Sequence, residues 1–165
     1  MRYASLLLAA TLLVGSACAR GGALAPGELT GDPIPLTRLP EANSFRQYSG
    51  LTDSVRVVVR TEQAWREIWA AVHRDRTEAP ALPQVDFERD MLVVAALGAR
   101  PTGGFGIHVE AAHQEAGYIN VLVRRELPGE RCGSTQAFTQ PVDIVRLPRS
   151  PQPVRFREDV LVRSC

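Results

Sequence analysis

The side chains best suited to chemistry in this chain are three cysteines, Cys18, Cys132 and Cys165, and three histidines, His73, His108 and His113. A cysteine nucleophile needs a base and a setting that favours the thiolate. Cys132 lies in Cys132-Gly133-Ser134-Thr135, with no histidine near it in sequence, and Ser134 lacks the Gly-x-Ser-x-Gly surroundings of a hydrolase elbow. His108 and Glu110 fall on one face of an alternating segment, and with His113 they could approach a metal. The spacings typical of zinc sites, His-Glu-x-x-His and Cys-x-x-Cys, do not accompany them. The chain therefore reads as non-enzymatic, with no catalytic residue, no cofactor and no metal. Two alternatives stay open: a hydrolase using Cys132 with His108 or His113, and a small-ligand site beneath a helix near Trp65 and Trp69.

The segment Gly103-Gly104-Phe105-Gly106 is glycine-rich, but the chain contains no lysine to complete a phosphate-binding loop, and a strand rather than a helix follows it. Paired glycines instead allow close approach to another backbone. Arg100 beside them carries five donors suited to carboxylates and carbonyls. The turn Arg100-Pro101-Thr102-Gly103-Gly104-Phe105 is the candidate protein-binding site, working at a sheet edge or an exposed loop. With 19 basic and 18 acidic side chains and only 6% aromatics, the chain has neither the charge nor the stacking surface of a nucleic-acid binder.

These residues are carried by a chain built for export. Met1-Arg2-Tyr3 is followed by an apolar run from Ala4 to Gly15, the layout of a secretory signal. As a helix that run spans about 18 Å, short of the roughly 30 Å hydrocarbon core. Two processing readings remain: cleavage after Ala17-Cys18-Ala19, or lipidation of Cys18 in the lipobox-like Gly15-Ser16-Ala17-Cys18, where Gly15 replaces the usual leucine. In either case Cys132 and Cys165 remain as an even pair in an oxidising compartment, which favours a disulfide. The expected location is the cell envelope, as a periplasm-facing or surface lipoprotein, or else secreted or periplasmic.

Residues 1–18 are thus read as signal, 19–53 as tether and irregular arm, and 54–165 as the domain. Within the arm, Ile34-Pro35-Leu36 is apolar enough to lie against the domain. Val55, Val57 and Val59 alternate as a strand. Thr61 then caps a helix whose stripe is Ala64, Trp65, Ile68, Trp69 and Val72, ending near His73 or Arg74. Met91 to Leu97 is a continuous apolar run, predicted to be a central buried strand. Phe105, Ile107, Val109 and Ala111 share one face of the next strand; a turn at residues 114–117 leads to a return strand over 118–125. Shorter strands follow near 135–139, 142–147, 154–157 and 160–162. Hairpin-like links favour antiparallel pairing. The expected architecture is α+β: a single domain with one curved, mainly antiparallel sheet of about six short strands and one packing helix.

The stretch from Gly98 to Ile107 carries a more specific pattern, Arg100-Pro101-Thr102-Gly103-Gly104-Phe105. Val85-Asp86-Phe87 precedes it, and Leu127-Pro128-Gly129 and Thr139-Gln140-Pro141-Val142 follow. In this order the elements resemble the PrcB C-terminal domain family, over roughly residues 54–148, with Trp65 and Trp69 at aromatic positions of the family's preceding helix. Phe105 stands where the family commonly has tyrosine, and the Cys132–Cys165 pair does not map onto the family pattern. The resemblance implies an exported bacterial protein, often a lipoprotein, that binds or stabilises another envelope protein such as a protease. It also implies a bilayer as partner through an N-terminal lipid anchor.

Overall fold

The structure is a computed structural model and describes residues 29–43 and 46–165. The signal region and Cys18 lie outside the described residues. The described chain forms β1 (Asp32–Ile34), β2 (Thr37–Arg38), α1 (Pro40–Asn43), β3 (Val55–Val59), α2 (Glu62–Val72), β4 (Asp90–Ala96), β5 (Gly106–Glu115), β6 (Tyr118–Pro128), β7 (Val142–Pro148) and β8 (Val154–Arg163). The strands make two four-stranded sheets, in the orders β1-β5-β6-β8 and β2-β7-β4-β3.

This arrangement replaces the single curved sheet of about six strands expected from sequence. The short links that read as hairpins carry the chain between sheets instead. β4 to β5, β6 to β7 and β7 to β8 each change sheet, whereas β5 and β6 are joined within one sheet by a tight turn at residues 116 and 117. β8 therefore arrives beside β6 in the same direction, and that pairing is parallel while the other strand pairs are antiparallel. Residues 154–163 form one strand rather than two elements. Residues 135–139 contribute only a single bridge, Arg100 to Thr139. Two strands come from the segment read as an irregular arm: β1 pairs with β5, and β2 pairs with β7.

The layers follow from residue periodicity. β4 is buried on both faces, which is why it reads as an unbroken apolar run. Met91, Val93 and Ala95 face a core shared with Ile107, Val109, Val121 and Val123 of the other sheet. Leu92, Val94 and Ala96 face a second core with Val142, Ile144 and the α2 side chains Trp65, Trp69 and Val72. The order is helix, sheet, sheet. Thr61 caps α2, its hydroxyl accepting from the Ala64 N–H at 3.2 Å.

β5 departs from strict alternation. Its register with β6 shifts between Val109 and Ala111, so Glu110 is an extra residue on the β5 side. Beyond the bulge Ala112 lies on the core face, not Ala111 as alternation predicts.

Candidate functional site

The Arg100–Phe105 turn joins β4 to β5 and is held mainly by the loop that follows β6. Arg100 exchanges backbone hydrogen bonds with Thr139 at 2.8 and 3.0 Å. The Gly103 N–H donates to the Thr135 carbonyl at 2.9 Å, and the Thr139 hydroxyl donates to the Thr102 carbonyl at 3.0 Å. The glycines are required by this internal packing. A side chain at Gly103 would run into the Thr135 hydroxyl, and Gly104 has φ of +89° with Pro128 against it. Arg100 is also turned inward: its guanidinium donates to the carbonyls of Leu97 and Ala99 at 2.8 and 3.0 Å and lies 5.9 Å from the Phe105 ring centroid. Pro101 is exposed, whereas Phe105 is half-buried and packs on the inter-sheet core.

Two exposed aromatic side chains stand on the segments that hold the turn. Phe138 is 73% exposed and Tyr48 56% exposed. Both are placed by the backbone: Phe138 precedes Thr139, which bridges Arg100, and Tyr48 bridges Gln140. An open groove beside the turn is lined by Tyr48, Gly104, Phe105, His108, Glu126 and Arg163; Phe138 lies outside this lining, next in sequence to Thr139, which belongs to it. At its floor Arg46 donates to Nδ1 of His108 at 2.5 Å, and Nε2 of His108 lies 3.2 Å from Glu126. With Nδ1 accepting, the ring proton sits on Nε2 and points at the carboxylate.

Beneath this floor lies a buried charge that sequence reasoning missed. Asp143 on β7 is 1% exposed, and its Oδ2 accepts the Val109 N–H at 2.8 Å. Arg38 donates to the Val109 carbonyl at 2.9 Å and approaches Asp143 at 3.3 Å, while Arg46 lies 3.9 Å from it. β1 covers only residues 112–114 of the outer edge of β5, so these side chains take the place of a paired strand at Val109. The available signal was a carboxylate in the middle of an apolar strand, Val142-Asp143-Ile144-Val145.

The remaining predicted residues separate. Cys132 and Cys165 are joined in a disulfide. Cys132 therefore offers no thiolate, and the cysteine-hydrolase alternative has no nucleophile. His108, Glu110 and His113 turn to different partners, respectively Arg46 and Glu126, Arg124, and the Gly31 carbonyl. Among the described residues no group of three His, Cys, Asp or Glu side chains is placed to hold a metal. Trp65 and Trp69 fill the space beneath α2, their indole N–H groups donating to the carbonyls of Pro83 and Pro80 at 3.0 and 2.9 Å. The recess beside Trp65 holds about 90 Å³, far below the roughly 300 Å³ that small-ligand pockets start from. The expected ligand site under the helix is filled by the tryptophans themselves.

Fold and site together define a three-layer α+β domain whose outward features are an open groove walled by Tyr48 and a glycine turn fixed by backbone hydrogen bonds, with exposed Phe138 nearby in the chain. A family model described as PrcB C-terminal matches residues 91–148, about a third of the chain, and that region holds the turn and Phe138. No curated protein and no solved structure matches the chain. Among the described residues, no helix is long and apolar enough to cross a membrane.

Proposed function

We propose that the chain is a non-enzymatic binding module of the bacterial cell envelope that docks another envelope protein, a protease among the candidates, against the groove beside the Arg100–Phe105 turn. The observation that carries this reading is the exposure of Phe138 and Tyr48 around a turn fixed by backbone hydrogen bonds. Exposed aromatics on a pre-organised frame supply large contact area at low entropic cost, and such residues dominate protein interfaces. Arg163, at the wall of the groove, offers a guanidinium to a carboxylate of the partner. The similarity to the PrcB C-terminal family model supports an accessory role. Cys18, acylated, would tether the domain to the bilayer through residues 19–28.

The test uses aromatic residues rather than glycines, because valine at Gly103 or Gly104 would disturb the turn itself. A photo-crosslinking side chain at exposed Gln136, two residues before Phe138, is expected to give a discrete adduct with one envelope protein. Phe138→Ser with Tyr48→Ala should abolish that adduct while leaving the thermal unfolding midpoint unchanged. An adduct that survives both substitutions refutes the site.

A further inference from the structure

We infer that the free edge of β8 is a self-association surface, through which a second copy of this chain pairs antiparallel about a two-fold axis at Glu158. Among the described residues β8 ends its sheet, and it is ten residues long. The Ile119 N–H bonds the Pro153 carbonyl, so odd-numbered residues of this segment address β6. By alternation, Val154, Phe156, Glu158, Val160 and Val162 turn their N–H and C=O groups to the open side. Among the described residues the Val160 N–H is met there by the neighbouring Asp159 carboxylate, at 2.9 Å. Val160, Leu161 and Val162 are 43, 45 and 60% exposed, an unusual apolar run for an edge that faces water.

Symmetry then restricts the register. A two-fold axis perpendicular to the sheet pairs residues that share a face, so partners differ by an even number of positions. Centred on Glu158, the pairing sets Phe156 against Val160 of the second copy, Val154 against Val162, and Arg157 against Asp159. Apolar meets apolar on the core face; on the outer face Arg157 meets Asp159, which also pairs with Arg124 of its own chain at 3.1 Å, and Leu161 meets the stem of Arg155. Centring on Arg157 opposes Arg157 to itself and Phe156 to Glu158. Centring on Asp159 opposes Asp159 to itself and Arg155 to Arg163. At the axis the two Glu158 carboxylates meet, but each is already held by Arg56 at 2.7 Å and Arg125 at 3.0 Å. The axis therefore gathers two carboxylates among four guanidinium groups. Charge complementarity selects a second copy, in one register, as the occupant of this edge.

The register makes a charge-swap test specific. Sedimentation equilibrium on the full chain carrying Cys18→Ser, which cannot be acylated, is expected to show a species of twice the chain mass that dissociates on dilution. Arg157→Asp alone places like charges opposite each other twice, and so does Asp159→Arg alone. Each should weaken association about tenfold or more. Mixing the two variants restores both Arg–Asp pairs and should give a heterodimer with near-original affinity, which no folding defect could produce. Amide exchange gives a second measurement, with the Phe156 and Val160 N–H groups protected at concentrations above dissociation and exposed below it. A chain monomeric at all concentrations, a dimer indifferent to Arg157→Asp, or a mixture that fails to associate would each overturn the proposal.

Discussion

The carboxylate of Asp143 should be worth more to this fold than any surface ion pair, and two substitutions separate its contributions. Asp143→Ala strips the Val109 N–H of its acceptor, and Val109 is fully buried. An unsatisfied buried donor costs about 1–3 kcal/mol. The same change removes the ion pairs to Arg38 and Arg46, whose side chains are 35 and 28% exposed. Partial solvation of both arginines limits that part to about 1 kcal/mol. The expected total is about 3 kcal/mol, or roughly 10 °C in the unfolding midpoint of a domain this size. Asp143→Asn keeps an acceptor for Val109 and loses only the charge, so it should cost about 1 kcal/mol. Urea titration gives both values, and exchange of the Val109 amide reports the local event: faster in the alanine variant, near normal in the asparagine variant. The reasoning fails if alanine costs less than about 1 kcal/mol, or if asparagine is as damaging as alanine.

Acid should weaken the fold through His73. Burial against Trp69, at a ring-centroid distance of 4.2 Å, holds its pKa below the ordinary value of about 6.5, outweighing the hydrogen bond to the Trp69 carbonyl that acts the other way. The unfolded chain then takes up a proton first as pH falls. The stability due to neutral His73 is complete above about 6.5 and declines below it. His73→Asn, which retains a donor for the Trp69 carbonyl, should flatten the stability profile between about pH 7.5 and 5. A wild-type slope left unchanged by the substitution rejects the assignment. The disulfide makes a separate prediction, because Cys165 fixes the end of β8 to the loop after β6. Replacing both cysteines by serine should cost about 4 kcal/mol on the chain-entropy account. Amide protection should fall at Leu161 and Arg163, whose N–H groups address β6, while the β4 amides keep theirs until global unfolding. Loss of protection throughout the sheet would show the bond to be needed for the whole fold.

What could be read in advance, and what could not, divides along a physical line. Local periodicity placed α2 and its cap because its apolar stripe, Trp65, Trp69 and Val72, is complete within one turn-by-turn pattern. It also marked residues 91–97 as buried on both faces. That fact already required a layer on each side of β4, and one helix can cover only one of them. The second sheet was thus implied by composition, yet assigning each strand to a sheet depends on where its links lead. A link of a few residues fits a hairpin and a sheet-to-sheet crossing equally well. The same limit hid the bulge, since Glu110-Ala111-Ala112 offers two small residues and no local preference for which one turns inward. At the site, the glycine turn was legible as a constraint on backbone, but its cause was internal: Thr135 and Pro128 lie more than twenty residues downstream and occupy the space a side chain would need. Exposed Phe138 and buried Asp143 are two residues whose burial runs against their chemistry. Each gained its role from long-range placement, Phe138 by the bridge between Arg100 and Thr139, and Asp143 by the length at which β1 stops. In this protein, then, the elements are written locally, while the surface available to a partner is set by the links between sheets.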